Sequence, residues 1–400
     1  MPAEAIRHGS KILAKILAKI FALALLLATP ALSPPVITVA RAQATSVSPQ
    51  AIADYRGKLR EYQEARDAFE QEASAYWSSI AEKRKGRNAK RREHQVVALD
   101  DYVLTQPPVY SGPKRPINPS PEPEPPEPRR ERKYVPVVAD LLKAAADLYQ
   151  WAPEQPANDI DFKRAYARFA LSAGLTREQA VRVYAFETGG NGTHASQAGF
   201  KGGSAISTAV GYNQLLTTNS VELLAEQGEG FVRLLWAQVV NLSGPARRAM
   251  EHKIAVLKKM VAQARAVPDE WAEHEKIGDT RQGWAMHAMV LDIDVGPMLQ
   301  THKLLTSVLF ARMKGYTRPL SAAELEMMNL TGDGTGLDMV TMPSDMREQV
   351  PTSNFFQRSG YERNPVAIRH NTVAELLAIT DNRMDANSSL PGAKELAAAF

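Results

Sequence analysis

Between Gln106 and Pro136 the chain carries PEPEPPEP flanked by further prolines, and no continuous helix or sheet can run through such a stretch. Each proline removes a backbone donor and fixes φ, and the few apolar side chains cannot bury a core. The composition predicts a Pro-rich, disordered spacer over 96–136 with extended polyproline II character. What lies on either side is then expected to fold separately.

On the N-terminal side, Arg7, Lys11, Lys15 and Lys19 precede an apolar run from Ile20 to Ala28, and Ala42-Gln43-Ala44 offers small residues for cleavage. This pattern predicts an export signal over 1–44 and a periplasmic destination, with an uncleaved membrane-surface anchor as the rival because KILAKILAKI is basic and amphipathic. Residues 45–95 read as a helix with a basic end. Tyr55, Leu59, Tyr62, Arg66, Phe69, Ala73, Tyr76 and Ile80 form a near-heptad stripe. A lone helix cannot bury such a stripe, so it must pair with itself, with a partner or with the downstream domain. The dense basic run Lys83–Arg92 reads first as a solvated helix end, and second as a contact with an anionic membrane surface or wall polymer.

The net charge of +4 is small and concentrated in that run, so composition argues for a local contact with an anionic surface and against nucleic acid. Cysteine is absent, which excludes disulfides, thiolate zinc sites and a Cys nucleophile. His194, His252, His274, His287, His302 and His370 lack metal-ligand spacing, and Asp333-Gly334-Thr335-Gly336 lacks the full calcium-loop series and reads as a turn. Neither a metal nor a cofactor is expected.

From residue 137 helical periodicity dominates: Val138 to Tyr149, Phe162 to Leu171, Val221 to Glu226, Gly230 to Val240, Gly244 to Ala266 and Gln282 to Leu291. Strand-like alternation is nearly missing, so a mainly α domain over 137–386 is expected, with a small hairpin between Gly189 and Gly211 and a flexible tail over 387–400. Within it, Thr176 and Gln179 have capping-box spacing, with Leu175 and Ala180 as a staple. Ala180, Val183, Tyr184 and Glu187 follow at i, i+3, i+4 and i+7, so a carboxylate shares the apolar stripe. Gly189, Gly190 and Gly192 end the helix. A carboxyl desolvated at such a helix end keeps its proton toward neutral pH, as a general acid must.

Glu187-Thr188-Gly189-Gly190-Asn191 followed by Ala209-Val210-Gly211-Tyr212-Asn213-Gln214 resembles the paired motifs of lytic transglycosylases with a lysozyme-like fold. That family has Glu-Ser at a helix end and then Ala-x-Gly-Leu-Met/Phe-Gln; here Thr188 stands for Ser and Tyr212-Asn213 for Leu-Met. The resemblance implies Glu187 as the single acid/base, and Thr188, Gly211, Tyr212, Asn213 and Gln214 as substrate-binding residues. The implied substrate is the peptidoglycan glycan strand, cut at the β-1,4 bond from N-acetylmuramic acid to N-acetylglucosamine with a 1,6-anhydro product. Pro319 to Leu325, Leu330 to Gly336, Asn354-Phe355-Phe356 and Thr372 to Leu376 are similar, in order, to a phage-tail-like branch of the family. Leu291 to Pro297 stands where the family usually has Ala-Tyr-Asn-Ala-Gly. Two rivals remain: a goose-type lysozyme-like hydrolase with Asp292 or Asp294 as second carboxylate, and a non-catalytic glycan-binding scaffold.

Overall fold

The computed structural model describes residues 48–119 and 133–400, so the expected signal and the centre of the Pro-rich stretch lie outside the described residues. The helices are α1 (Pro49–Arg92), α2 (Val138–Tyr149), α3 (Asp159–Ala173), α4 (Arg177–Thr188), α5 (Thr217–Val239), α6 (Gly244–Ala264), α7 (Trp271–Gly278) and α8 (Arg281–His287). They continue with α9 (Val295–Met313), α10 (Ala322–Thr331), α11 (Asp333–Thr341), α12 (Ser344–Arg347), α13 (Arg358–Glu362), α14 (Pro365–Arg369), α15 (Val373–Ser388) and α16 (Pro391–Ala399). The protein is thus mainly helical, as its periodicity predicts. Among the described residues, extended pairing is limited to isolated bridges; those around the expected hairpin are Gln197 with Val210, Lys201 with Ser204 and Val210 with Leu215.

Residues 57–116 and 133–400 form one compact unit; 48–56, the first turns of α1, and 117–119 belong to a second. Inside the large unit α9 is the axis. Val295, Met298 and Leu299 at its start join a core with α5, α6 and α8. Leu304, Leu305, Val308 and Ala311 join another with α3, α4 and α10. Where two helices were expected between 221 and 240, α5 runs through, and the first of its two glycines sits at the contact with α6. A Cβ at Gly228 would stand 2.3 Å from a Val261 methyl of α6.

The basic run is not a solvated arm. Arg87 is fully buried: its Nε donates to Asp338 Oδ2 at 3.1 Å and its guanidinium lies 4.2 Å from the Tyr102 ring centroid. Arg91 also pairs with Asp338, and the Tyr102 hydroxyl donates to the same carboxylate at 2.6 Å. Arg84 donates to the carbonyls of Asn354 and Phe356, both at 2.9 Å. Asn354 in turn exchanges two hydrogen bonds with the Val103 backbone. Trp77, Val97 and Leu99 pack on a third core around Tyr102, Met339, Phe355 and Tyr361. Of the possible partners for the stripe, this part of α1 takes the downstream chain. The first residues of the expected spacer fold with it, since arginines at helical spacing find acceptors that water alone would otherwise satisfy.

The expected tail over 387–400 is likewise ordered. Pro391 starts α16, whose Ala393 and Leu396 are buried against α3 and α4. The Ala393 N–H donates to the Gly190 carbonyl at 2.9 Å, and the Gly392 N–H to Asn191 Oδ1 at 3.1 Å.

Removing the charge of Asp338 leaves Arg87 buried without a counter-ion, a change that typically costs about 3–5 kcal/mol. Denaturant unfolding of Asp338→Asn should show a loss of that order; a loss near zero would mean the junction contributes nothing to the fold.

Candidate active site

Helix α4 forms as its sequence dictates. Thr176 Oγ1 accepts from the Gln179 N–H and Gln179 Oε1 from the Thr176 N–H, each at 3.1 Å. Gly189 closes the helix at φ 64° and Gly190 follows at φ 76°, a conformation that favours glycine. Ala180, Val183 and Tyr184 are buried on the stripe and carry half-buried Glu187 to the inner end.

Three residues from two other helices meet Glu187. Asn329 of α10 donates from Nδ2 to Glu187 Oε1 at 3.1 Å. Lys303 of α9 sets its ammonium in the field of Glu187, Glu326, Glu222 and Asp333, and donates to Asn219 Oδ1 at 3.3 Å. Glu326, one turn before Asn329, is 2% exposed. Burial pushes the Glu187 carboxyl up to about 7 against the opposing pull of Lys303 and the Asn329 amide. Burial, with the Glu226 charge adding to it, likewise lifts Glu222 to about 7. The same desolvation lowers Lys303.

Lys303 and Asn329 also line a cleft of about 430 Å³, together with Asn219, Glu222, Glu226, Trp271, Thr306, Ser307 and Asp333. Its wall offers amides, hydroxyls and carboxyls with an exposed indole at Trp271, a lining suited to sugar hydroxyls with a ring face stacked on the aromatic. Ser307 Oγ donates to Asp333 Oδ1 at 2.5 Å. Asp333 therefore begins α11 and borders the cleft, where the sequence suggested only a turn.

None of the expected site residues lines this cleft: Glu187 stands behind Asn329, and the others lie elsewhere. Thr188 turns its hydroxyl back to the Tyr184 carbonyl at 2.7 Å. Gly211, at φ 87°, makes room for Gln300 of α9: a Cβ there would stand 1.9 Å from Gln300 Nε2. Tyr212 is buried among Phe162, Tyr166 and Tyr184. Asn213 is buried too, its N–H donating to Gln300 Oε1 at 2.8 Å and its Nδ2 to the Gln300 carbonyl at 2.7 Å. Gln214 bonds the Gly211 and Ser196 carbonyls. This motif clamps α9 and touches no cleft surface. Asp292 and Asp294 are held by Lys253, away from the cleft lining. His287 is a core residue between Ser220 and the Thr208 carbonyl, pushed by burial down to about 4.

Sequence reasoning missed Lys303, Glu326, Asn329, Glu222 and Trp271. A signal was present for two of them: Lys303 in GPMLQTHKLLTSVLF and Glu326 in LEMMNL are charges inside apolar helices. No known protein family, curated protein or solved structure matches this chain.

Glu187 holds its proton in the folded protein to about pH 7, whereas an ordinary glutamate releases it near 4.5. Between those values the folded state binds more protons than the unfolded one, so stability falls as pH rises through the window. Glu187→Gln lacks this penalty. Its unfolding free energy should exceed that of the wild type by about 3 kcal/mol near pH 8, with the gap closing toward about pH 4. Equal stabilities at both pH values would show that Glu187 titrates normally.

Proposed function

We propose that this chain is an exported wall-remodelling enzyme with a lysozyme-like catalytic arrangement, a lytic transglycosylase acting on peptidoglycan glycan strands with Glu187 as its single acid/base. The observation that carries the reading is one carboxyl, at a helix end beside a polar cleft, kept protonated to about pH 7 and oriented by Asn329.

In this scheme the Glu187 carboxyl gives its proton to the glycosidic oxygen as the C–O bond breaks and positive charge develops on the sugar ring. The resulting carboxylate is stabilised by Lys303 and the Asn329 amide. It then takes the proton of the sugar's own C6 hydroxyl, whose oxygen closes on the anomeric carbon, and the acid is restored. No water is consumed. The buried position of Asp292 and its pairing with Lys253 support a route without either aspartate of the 292–294 turn.

One observation favours a hydrolytic outcome: Glu222 borders the same cleft and is poised near neutral pH, where its carboxylate could activate a water. Mass analysis of the products separates the two, since a 1,6-anhydro end is one water lighter than a reducing end.

On purified wall material, Glu187→Gln should lose about two to four powers of ten in turnover while still binding glycan, and the wild-type rate should fall on the alkaline side near pH 7. Activity surviving in the variant would remove Glu187 from the role. If neither protein cleaves, the glycan-binding scaffold becomes the better account.

A further inference from the structure

Glu326 has no part in the scheme above, yet it is the most deeply buried carboxyl beside Glu187. It is 2% exposed, its neighbours Leu325, Met327 and Met328 on α10 are buried apolar side chains, and its Oε2 has no hydrogen-bond partner among the described residues. The charged groups facing it are Glu187 from α4 and Lys303 from α9. Around Lys303 stand also Glu222 from α5 and Asp333 at the start of α11. One ammonium cannot neutralise four carboxylates. The innermost, almost wholly buried and with one carboxyl oxygen unpartnered among the described residues, is the one for which ionisation costs most, although the Asn329 amide also reaches it.

We propose that Glu326 is a positioning residue: a carboxylic acid kept neutral beside Glu187, which donates its O–H to the Glu187 carboxylate once Glu187 has released its own proton, so that the two then act as one acid–carboxylate pair. This rests on Glu187 being the acid of the reaction. A protonated Glu326 has an O–H to donate, and Asn329 occupies only Oε1 of Glu187, leaving the other oxygen to accept. When Glu187 delivers its proton to the leaving oxygen, the Glu326 O–H stabilises the new carboxylate. The pair is neutral before that delivery and carries a single negative charge after it; transfer of the Glu326 proton to Glu187 then breaks one O–H bond and forms another without changing that charge. Burial and the Glu187 charge both hold Glu326 well above the usual carboxylate range, in keeping with this assignment. A pair of this kind titrates in two coupled steps that belong to neither residue alone.

The test is a ¹³C titration of glutamate carboxyls by NMR in the full chain, for wild type, Glu326→Gln and Glu187→Gln. The pair predicts a two-step curve for Glu187 in the wild type and a single step, complete at lower pH, in Glu326→Gln. In Glu187→Gln the Glu326 midpoint should drop by at least about one pH unit, because the neighbouring negative charge is gone. A single-step Glu187 curve with the same midpoint in wild type and Glu326→Gln would overturn the proposal, as would an unmoved Glu326 in Glu187→Gln. Since the readout needs no turnover, coupled titration in a protein that cleaves no glycan would overturn the assigned reaction and leave the pair standing.

Discussion

Among the described residues Lys303 is the cation that acts on four carboxyls gathered from four helices, and it owes its position to apolar packing. Leu304 and Leu305 beside it are buried in the core with α3 and α4, while Leu299 and Met298 one turn earlier belong to the core with α5 and α6. A shift of α9 along its axis would disturb both cores at once. The site therefore inherits its geometry from close-packed side chains, which respond to displacement far more steeply than a charge pair does. With too little positive charge nearby, the surrounding acids settle the excess by keeping protons. Burial lifts the Glu187 carboxyl toward neutral pH, and the single ammonium opposes that rise without reversing it.

The turn from Gly211 to Gln214 helps to place Lys303 although it touches no cleft surface. Gln300, one helical turn before Lys303, is fully buried and is gripped by the backbone of Val210 and Asn213 and by the Asn213 amide. The glycine at 211 is needed because the Gln300 amide occupies the space where a side chain would begin. This turn thus acts by fixing the register of α9 and with it the ammonium.

What could be read from the sequence followed local rules. The capping box at Thr176, the stripe leading to Glu187 and the glycine stop are contacts between residues a few positions apart, and each is present as expected. The long-range choices were not legible. Nothing local says that Arg87 will find Asp338, 251 residues away, or that Asn329 will meet Glu187 across 142. Charge density and proline content describe how a segment behaves in water, and they mislead where another part of the chain supplies the acceptors. A lone charge in an apolar helix carries information that hydrophobic periodicity discards.

The docking of α16 on the Gly190 to Asn191 turn has a kinetic side. Gly392 is pressed so closely on this turn that a Cβ would stand 2.7 Å from the Gly190 carbonyl and the Tyr184 hydroxyl, and its hydrogen bond to Asn191 spans 201 positions. Closing a loop of that length carries an entropic cost that the short-range caps of α4 do not. Helix α4 can assemble from its own caps, but the turn that ends it is held by a segment 201 positions further along the chain. A chain caught part-way through folding would carry the acidic residue without the support that fixes its exit from the helix.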